Sequence, residues 1–396
     1  MGLLRKRVSD VRKDDRTYLG RPSDPDELQI VSAHGSRVKD EKGRTYIDLQ
    51  CGWCVGNLGW NHPAIVKRVR DFDGPSYVSP NMLYEPWVAL ARSLAELTPG
   101  NLSRTFRAVS GTEANEIALQ IAMVATGRTK LVSIEGAYHG NSILMKSIGE
   151  PGDVTVPGCK KIAPPLDANA LGRLETVLKN RDVAAFILEP VIMNLGVEVP
   201  TNEFLRGARE LCDRYGTLLV FDEVACGFTR TGKLFAAEHA GVVPDVMTMA
   251  KAITNGHAPL AATITTPAIA DEMTGELHVY STFGWQPLAV EVALATVDVY
   301  RSEGDEILEN VARRSAEVMS RLLAMPWQHE ANIRMMGLAI AVELEEDYVS
   351  RITDRCKDGG LLVADEDEYL MLLPATTIGA DDMADALNIL ERAVSA

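Results

Sequence analysis

This chain has few cysteines, no long apolar run and no surplus of positive charge. Six cysteines in 396 residues are too sparse for a disulfide scaffold, so reduced thiols and a cytoplasmic setting are expected. No stretch approaches membrane-spanning length, and no apolar segment follows Arg5-Lys6-Arg7 as a secretory leader would require. A formal charge of −15 argues against nucleic acid or an anionic membrane as partner. The basic cluster itself is answered at once by Asp10, Asp14 and Asp15 and reads as a solvated arm. No GxGxxG follows an early strand, which argues against a nicotinamide dehydrogenase. Cys51-Gly-Trp-Cys54 has no second pair nearby, so no metal site is expected, and it reads as a glycine-rich turn with cysteines as small apolar fillers.

Between about Thr105 and Thr265, short apolar or β-branched runs alternate with amphipathic stretches. Thr105–Val109, Lys130–Ile134, Val183–Leu188, Thr217–Phe221, Val246–Met249 and Leu260–Ile264 read as strands. Glu113–Ala125, Ala168–Lys179 and Asn202–Tyr215 read as helices. The alternation predicts an α/β domain, a mainly parallel sheet with helices on both faces. The flanks read differently, with helices over Leu288–Tyr300, Glu306–Leu323 and Asp381–Val394 and antiparallel segments near Ile333–Leu344 and Leu370–Leu373. The expected division is a large domain over 48–286, with 1–47 and 287–396 together forming a smaller α+β domain.

Polar residues fall where such a sheet holds ligands, outside the carboxyl ends of its strands. Ser110-Gly111-Thr112 joins a strand to a helix, and that geometry suits a phosphate. Taken alone, the segment reads rather as an ordinary capped helix start. Asp222 closes a buried strand and needs a cationic or hydrogen-bonding neighbour, while Glu223 is available for capping. Tyr138-His139 follows the second strand; the aromatic ring suits stacking on a flat cofactor, although a core tyrosine with a surface histidine explains these two residues as well. Lys251 ends the run Pro244-Asp-Val-Met-Thr-Met-Ala-Lys, and a lysine amine kept from water is a natural Schiff-base nucleophile. A lysine with a carboxylate for a pyridinium nitrogen is the pair that pyridoxal phosphate requires.

Together these motifs resemble the class III aminotransferases. The likeness runs from Gly43-Arg-Thr-Tyr-Ile-Asp48 and Gly59-Trp-Asn-His-Pro63 to the C-terminal helix. Its most specific parts are Ser110-Gly-Thr-Glu-Ala-Asn115, Gly136-Ala-Tyr-His-Gly140, Glu189-Pro190, Asp222-Glu-Val-Ala-Cys-Gly-Phe-Thr-Arg-Thr-Gly232, Pro244-Asp245 with Lys251, and Ser281-Thr-Phe-Gly284. The resemblance implies pyridoxal-phosphate fold type I with a seven-stranded sheet in the large domain. It implies Lys251 and Asp222 as catalytic residues, Ser110, Gly111 and Thr112 at the phosphate, and Tyr138 and Val224 on the ring faces. His139 and Glu189 would lie near the cofactor. Thr282 would reach the phosphate of a neighbouring subunit, making the protein a homodimer with shared active sites. The implied reaction is ping-pong transfer from an amine or ω-amino donor to a keto acid such as pyruvate; an aminomutase or racemase of the same fold is the alternative.

Several positions depart from the family pattern. Ala225 stands where glutamine is usual and Thr229 where glycine is common; Asn255-Gly-His257 replaces a glycine run, and Phe283-Gly-Trp285-Gln286 replaces Phe-Gly-Gly-Asn. Trp53 and Trp285 are expected at the substrate pocket, though either also suits a core. Many members carry a C-terminal arginine for a substrate carboxylate, yet no arginine occurs between Arg355 and Arg392, and Tyr369-Leu-Met-Leu-Leu-Pro374 is apolar. That absence predicts a preference for amines over α-amino acids, with Arg107 or Arg334 as the remaining candidates for a keto acid's carboxylate.

Overall fold

The computed structural model describes residues 11–22, 28–150, 155–273 and 275–396. The basic cluster at 5–7 lies outside them. Seven strands form the central sheet, in the order Arg104–Ala108, Ala261–Thr265, Val246–Met249, Leu218–Asp222, Val183–Leu188, Lys130–Ile134 and Cys159–Ile162. The last five are parallel, and Ala261–Thr265 runs antiparallel to both of its neighbours. Six of these strands match expectation. Cys159–Ile162 carries no legible signal because two of its four residues are lysines on an edge, with only Ile162 buried.

Every residue of Val183–Leu188 is buried, as a central parallel strand between two helical layers requires. Its side chains divide by alternation: Phe186 and Leu188 join one core cluster, Ala185 and Ile187 the other. The second cluster is covered by the helix Gly111–Thr126, capped by Ser110 and ended by Gly127 in the left-handed region. The helix Asn202–Tyr215 packs against Ala168–Leu178 on the first.

Toward the chain ends, Leu361–Leu362 lies parallel to Thr45–Asp48, so the two terminal regions share a sheet. A second small sheet contains the hairpins Asn332–Met336 with Ala339–Glu343 and Ala364–Glu366 with Tyr369–Leu372. One expectation fails here: Leu288–Tyr300 and Glu306–Leu323 are one helix, Pro287–Ala324. Ser302-Glu-Gly-Asp305 resembles a break, but the apolar face continues in phase through Val297, Tyr300, Ile307 and Val311, so burial carries the helix through Gly304.

The Cys51–Cys54 turn is tighter than expected. All four residues have φ between 51° and 65°, a single left-handed turn. Both cysteines are buried; Cys51 Sγ donates to Gly56 O at 2.9 Å, and burial pushes its thiol up to about 12. That environment suppresses thiolate chemistry.

Candidate active site

A cavity of about 600 Å³ opens at the carboxyl ends of the parallel strands. Ser110, Gly111, Thr112, Tyr138, His139, Glu189, Asp222, Val224, Lys251 and Trp53 all line it. Sheet order brings most of these together: Lys251, then Asp222 and Val224, then Glu189, then Tyr138 and His139 follow four neighbouring parallel strands, while Ser110–Thr112 follow the edge strand Arg104–Ala108 and Trp53 comes from the Cys51–Cys54 turn.

Asp222 is the most heavily bonded of them. Its Oδ2 accepts from Asn115 Nδ2 at 2.7 Å and lies 2.9 Å from His139 Nδ1, while Oδ1 accepts from Val224 N at 3.0 Å. With a carboxylate oxygen as acceptor, the histidine proton belongs on Nδ1. Asn115 also donates to His139 O at 2.8 Å and accepts from Thr248 Oγ1 at 2.7 Å. Sequence reading assigned no role to Asn115 or Thr248. The available signal was an amide on the buried face of an otherwise apolar helix, where an unsatisfied polar group is costly.

Glu223, next to Asp222, points elsewhere. Its oxygens accept from Ala236 N at 3.0 Å and Ala237 N at 2.7 Å, so it takes the capping duty at the helix Ala237–Ala240. Burial pushes its carboxyl up to about 7, against the lowering effect of those bonds. Glu189 is buried beside Asp222 and Lys251; burial foremost, then the Asp222 charge, pushes its carboxyl well above the usual range, with Lys251 opposing. Lys251 begins a 3₁₀ turn at φ +49°, a conformation that few residues other than glycine adopt.

The phosphate-type cradle is built at the start of the helix Gly111–Thr126, where free N–H groups gather beside two hydroxyls. Gly140, at φ +136°, brings the Tyr138-His139 segment against it; a Cβ there would lie 2.5 Å from Thr112 Oγ1. A Cβ on Gly111 would lie 3.0 Å from Val224 Cγ1. His139 Nε2 is buried at the cavity with no hydrogen-bond partner among the described residues. An anion cradle, a buried carboxylate, an exposed aromatic face and a lysine form the donor set that pyridoxal phosphate needs, and the residues fit it.

Trp285, Arg107 and Arg334 do not make the contacts expected of them. Trp285 is core, not pocket: it is 1% exposed and its indole donates to Ala261 O at 2.8 Å. At φ +62°, where the family pattern has glycine, its side chain turns inward toward the strand Ala261–Thr265. Neither Arg107 nor Arg334 reaches the cavity. Arg107 stacks 3.9 Å from the centre of the Trp87 ring, and Arg334 is held by Glu343 at 2.8 Å and Leu195 O at 3.1 Å. Thr282 is exposed and lies outside its own chain's cavity. Thr229, at φ +69° in another glycine position, is held by its hydroxyl's contact with Thr376 Oγ1 at 3.0 Å.

Fold and donor set together define a pyridoxal-phosphate-dependent α/β enzyme. The chain belongs to the class III aminotransferases: the family model "Aminotransferase class-III" matches residues 18–394. It is 36% identical to an acetylornithine aminotransferase of Methanopyrus kandleri, over 93% of this chain and 95% of that protein. A [LysW]-aminoadipate semialdehyde transaminase of Deinococcus radiodurans is 33% identical, over 93% of this chain and 86% of that protein. Among solved structures, the taurine:2-oxoglutarate aminotransferase of Bifidobacterium kashiwanohense, in complex with pyridoxal phosphate and glutamate, superposes with a TM-score of 0.91 at 26% identity, covering 97% of each chain. This protein is therefore a pyridoxal-phosphate-dependent aminotransferase, acting on an amino donor and a keto acid.

Proposed function

We propose that the protein moves the amino group of an amine or ω-amino donor to a keto acid such as pyruvate in a ping-pong cycle. The observation carrying this reading is the convergence of Lys251, Asp222 and the Ser110–Thr112 cradle on one cavity whose described lining contains no arginine. Within Tyr369–Pro374, the span where the family's arginine would fall, Met371 is fully buried in one cluster with Met193, Ala225 and Cys226.

In this reading Ser110, Gly111 and Thr112 donate to the cofactor phosphate, while Tyr138 and Val224 flank the ring. Asp222, oriented by Asn115 and His139, keeps the ring nitrogen protonated. The bound cofactor supplies an electron sink for the substrate carbon. Lys251 would hold the cofactor and, as a free amine, would carry a proton at that carbon as general acid and base. Glu189, whose carboxyl burial and the Asp222 charge push well above its usual range, lies beside Asp222 and Lys251. Trp53, Met193 and Leu260 offer apolar surface to the body of the donor.

The same reading makes the protein a cytoplasmic homodimer. All six cysteines are free, and no helix of the described residues is long and apolar enough to cross a membrane. Tyr280 and Phe283, on either side of Thr282, are exposed, as are Tyr77 and Leu83, and the Tyr77 and Phe283 rings meet edge to face at 6.4 Å. Such an apolar surface suits a second copy, whose cradle Thr282 would complete.

Steady-state kinetics of the holoenzyme with a panel of amines, α-amino acids and keto acids test the reading. Parallel double-reciprocal lines and amines as better donors are expected. α-Amino acids far superior to simple amines would sink it, and turnover independent of any keto acid would indicate an aminomutase or racemase.

A further inference from the structure

We propose that the donor carries a second cationic nitrogen, as a diamine or polyamine does, and that Glu366 and Glu150 receive that far end at the mouth of the cavity. The inference rests on the transaminase reading and names the substrate class of the same site.

The cavity is a ligand site on independent grounds, since the buried His139 Nε2 beside it has no partner among the described residues and the cradle is already in place. Its described lining holds two basic side chains: Lys251, which the transaminase reading assigns to the cofactor, and His139, whose Nδ1 lies 2.9 Å from Asp222 Oδ2. Glu150 and Glu366 line the same cavity and pair with no cation among the described residues. Burial and the charges of Asp367, Glu150 and Asp365 push the Glu366 carboxyl above its usual value, and no neighbouring cation offsets them. A donor ending in a carboxylate would meet like charge here, whereas one ending in an ammonium relieves it.

The wall holding Glu366 is anchored. Glu366 sits opposite Tyr369 in the hairpin Ala364–Glu366 with Tyr369–Leu372. The Tyr369 ring packs under Gly196, at φ +59°, where a Cβ would lie 2.3 Å from the ring. Arg334 stacks over that ring at 5.3 Å, yet its guanidinium pairs with Glu343 and Glu198 and not with Glu366.

The test compares cadaverine with hexylamine, of similar length but with a methyl in place of the far ammonium, on the holoenzyme with pyruvate as acceptor. The expected kcat/KM ratio favours cadaverine about tenfold or more, narrows with added salt, and falls about tenfold in Glu366→Gln. Hexylamine equal to or better than cadaverine overturns the proposal, as does an unchanged ratio in both Glu366→Gln and Glu150→Gln. In those cases hexylamine turnover still upholds the transaminase reading. If neither amine alters the absorption of the bound cofactor in a half-reaction without acceptor, that reading falls and the present proposal falls with it.

Discussion

His139 Nδ1 stands 2.9 Å from Asp222 Oδ2, with both residues buried at the carboxyl end of the sheet. The histidine comes from the segment after Lys130–Ile134, and the aspartate ends Leu218–Asp222. Asn115 ties the pair to the helix Gly111–Thr126. The carboxylate is thus fixed in direction before any ligand arrives, which is what a partner for a ring nitrogen requires.

Asp222→Asn removes the charge and keeps the shape. Turnover with saturating donor should fall roughly 10²–10³-fold, the range seen when one preorganised electrostatic contact is lost, while the thermal transition stays close to that of the parent. Near-parental kcat would remove Asp222 from the assigned role.

Lys251→Ala should eliminate both turnover and the visible absorption of covalently held cofactor. Retention of that absorption after dialysis against free pyridoxal phosphate would assign the attachment to a different lysine.

Glu223 gives a pH signature in stability. Its folded-state carboxyl is raised from 4.5 to about 7, so the native protein binds more protons than the unfolded chain across that interval. Stability contributed by the protonated form is full below the unfolded value and is lost as pH rises through the folded one. Glu189, also raised, acts with the same sign. Denaturant midpoints should therefore fall from about pH 4.5 to about 7 on account of these groups. Glu223→Gln should flatten the slope; an unchanged slope would show that Glu223 ionises normally.

Leu83 is 98% exposed and, like Tyr77 and Phe283, offers apolar surface to solvent. Leu83→Asp should halve the mass seen by light scattering and reduce activity together with it, because Thr282 is then withdrawn from its neighbour's cradle. A monomeric wild-type protein with full activity would contradict the shared-site arrangement.

Gly196→Ala places a methyl group into the Tyr369 ring at a positive φ. A loss of more than about 1 kcal/mol in unfolding free energy is expected from strain and overpacking combined. An unperturbed melt would mean that the Tyr369 hairpin shifts freely.

Much of this was legible in the chain itself. Val183–Leu188 and Leu218–Asp222 are apolar runs that cannot stay in water, and Ser110 and Gly127 mark a helix at both ends, so local chemistry determined those elements. The ordered motifs likewise determined the family and its cofactor. Tertiary structure alone decided which residues meet. The Asn115 contact to Asp222 spans 107 residues and exists only because two strands and a helix pack side by side. Trp285 entered the core and Arg334 turned to Glu343 because burial and available partners outweighed their position near the motifs. Glu150 and Glu366 share a rim although nothing in their local sequence links them. Periodicity and capping are set by near neighbours along the chain, whereas sheet order and side-chain competition for partners are settled only when the whole chain is packed.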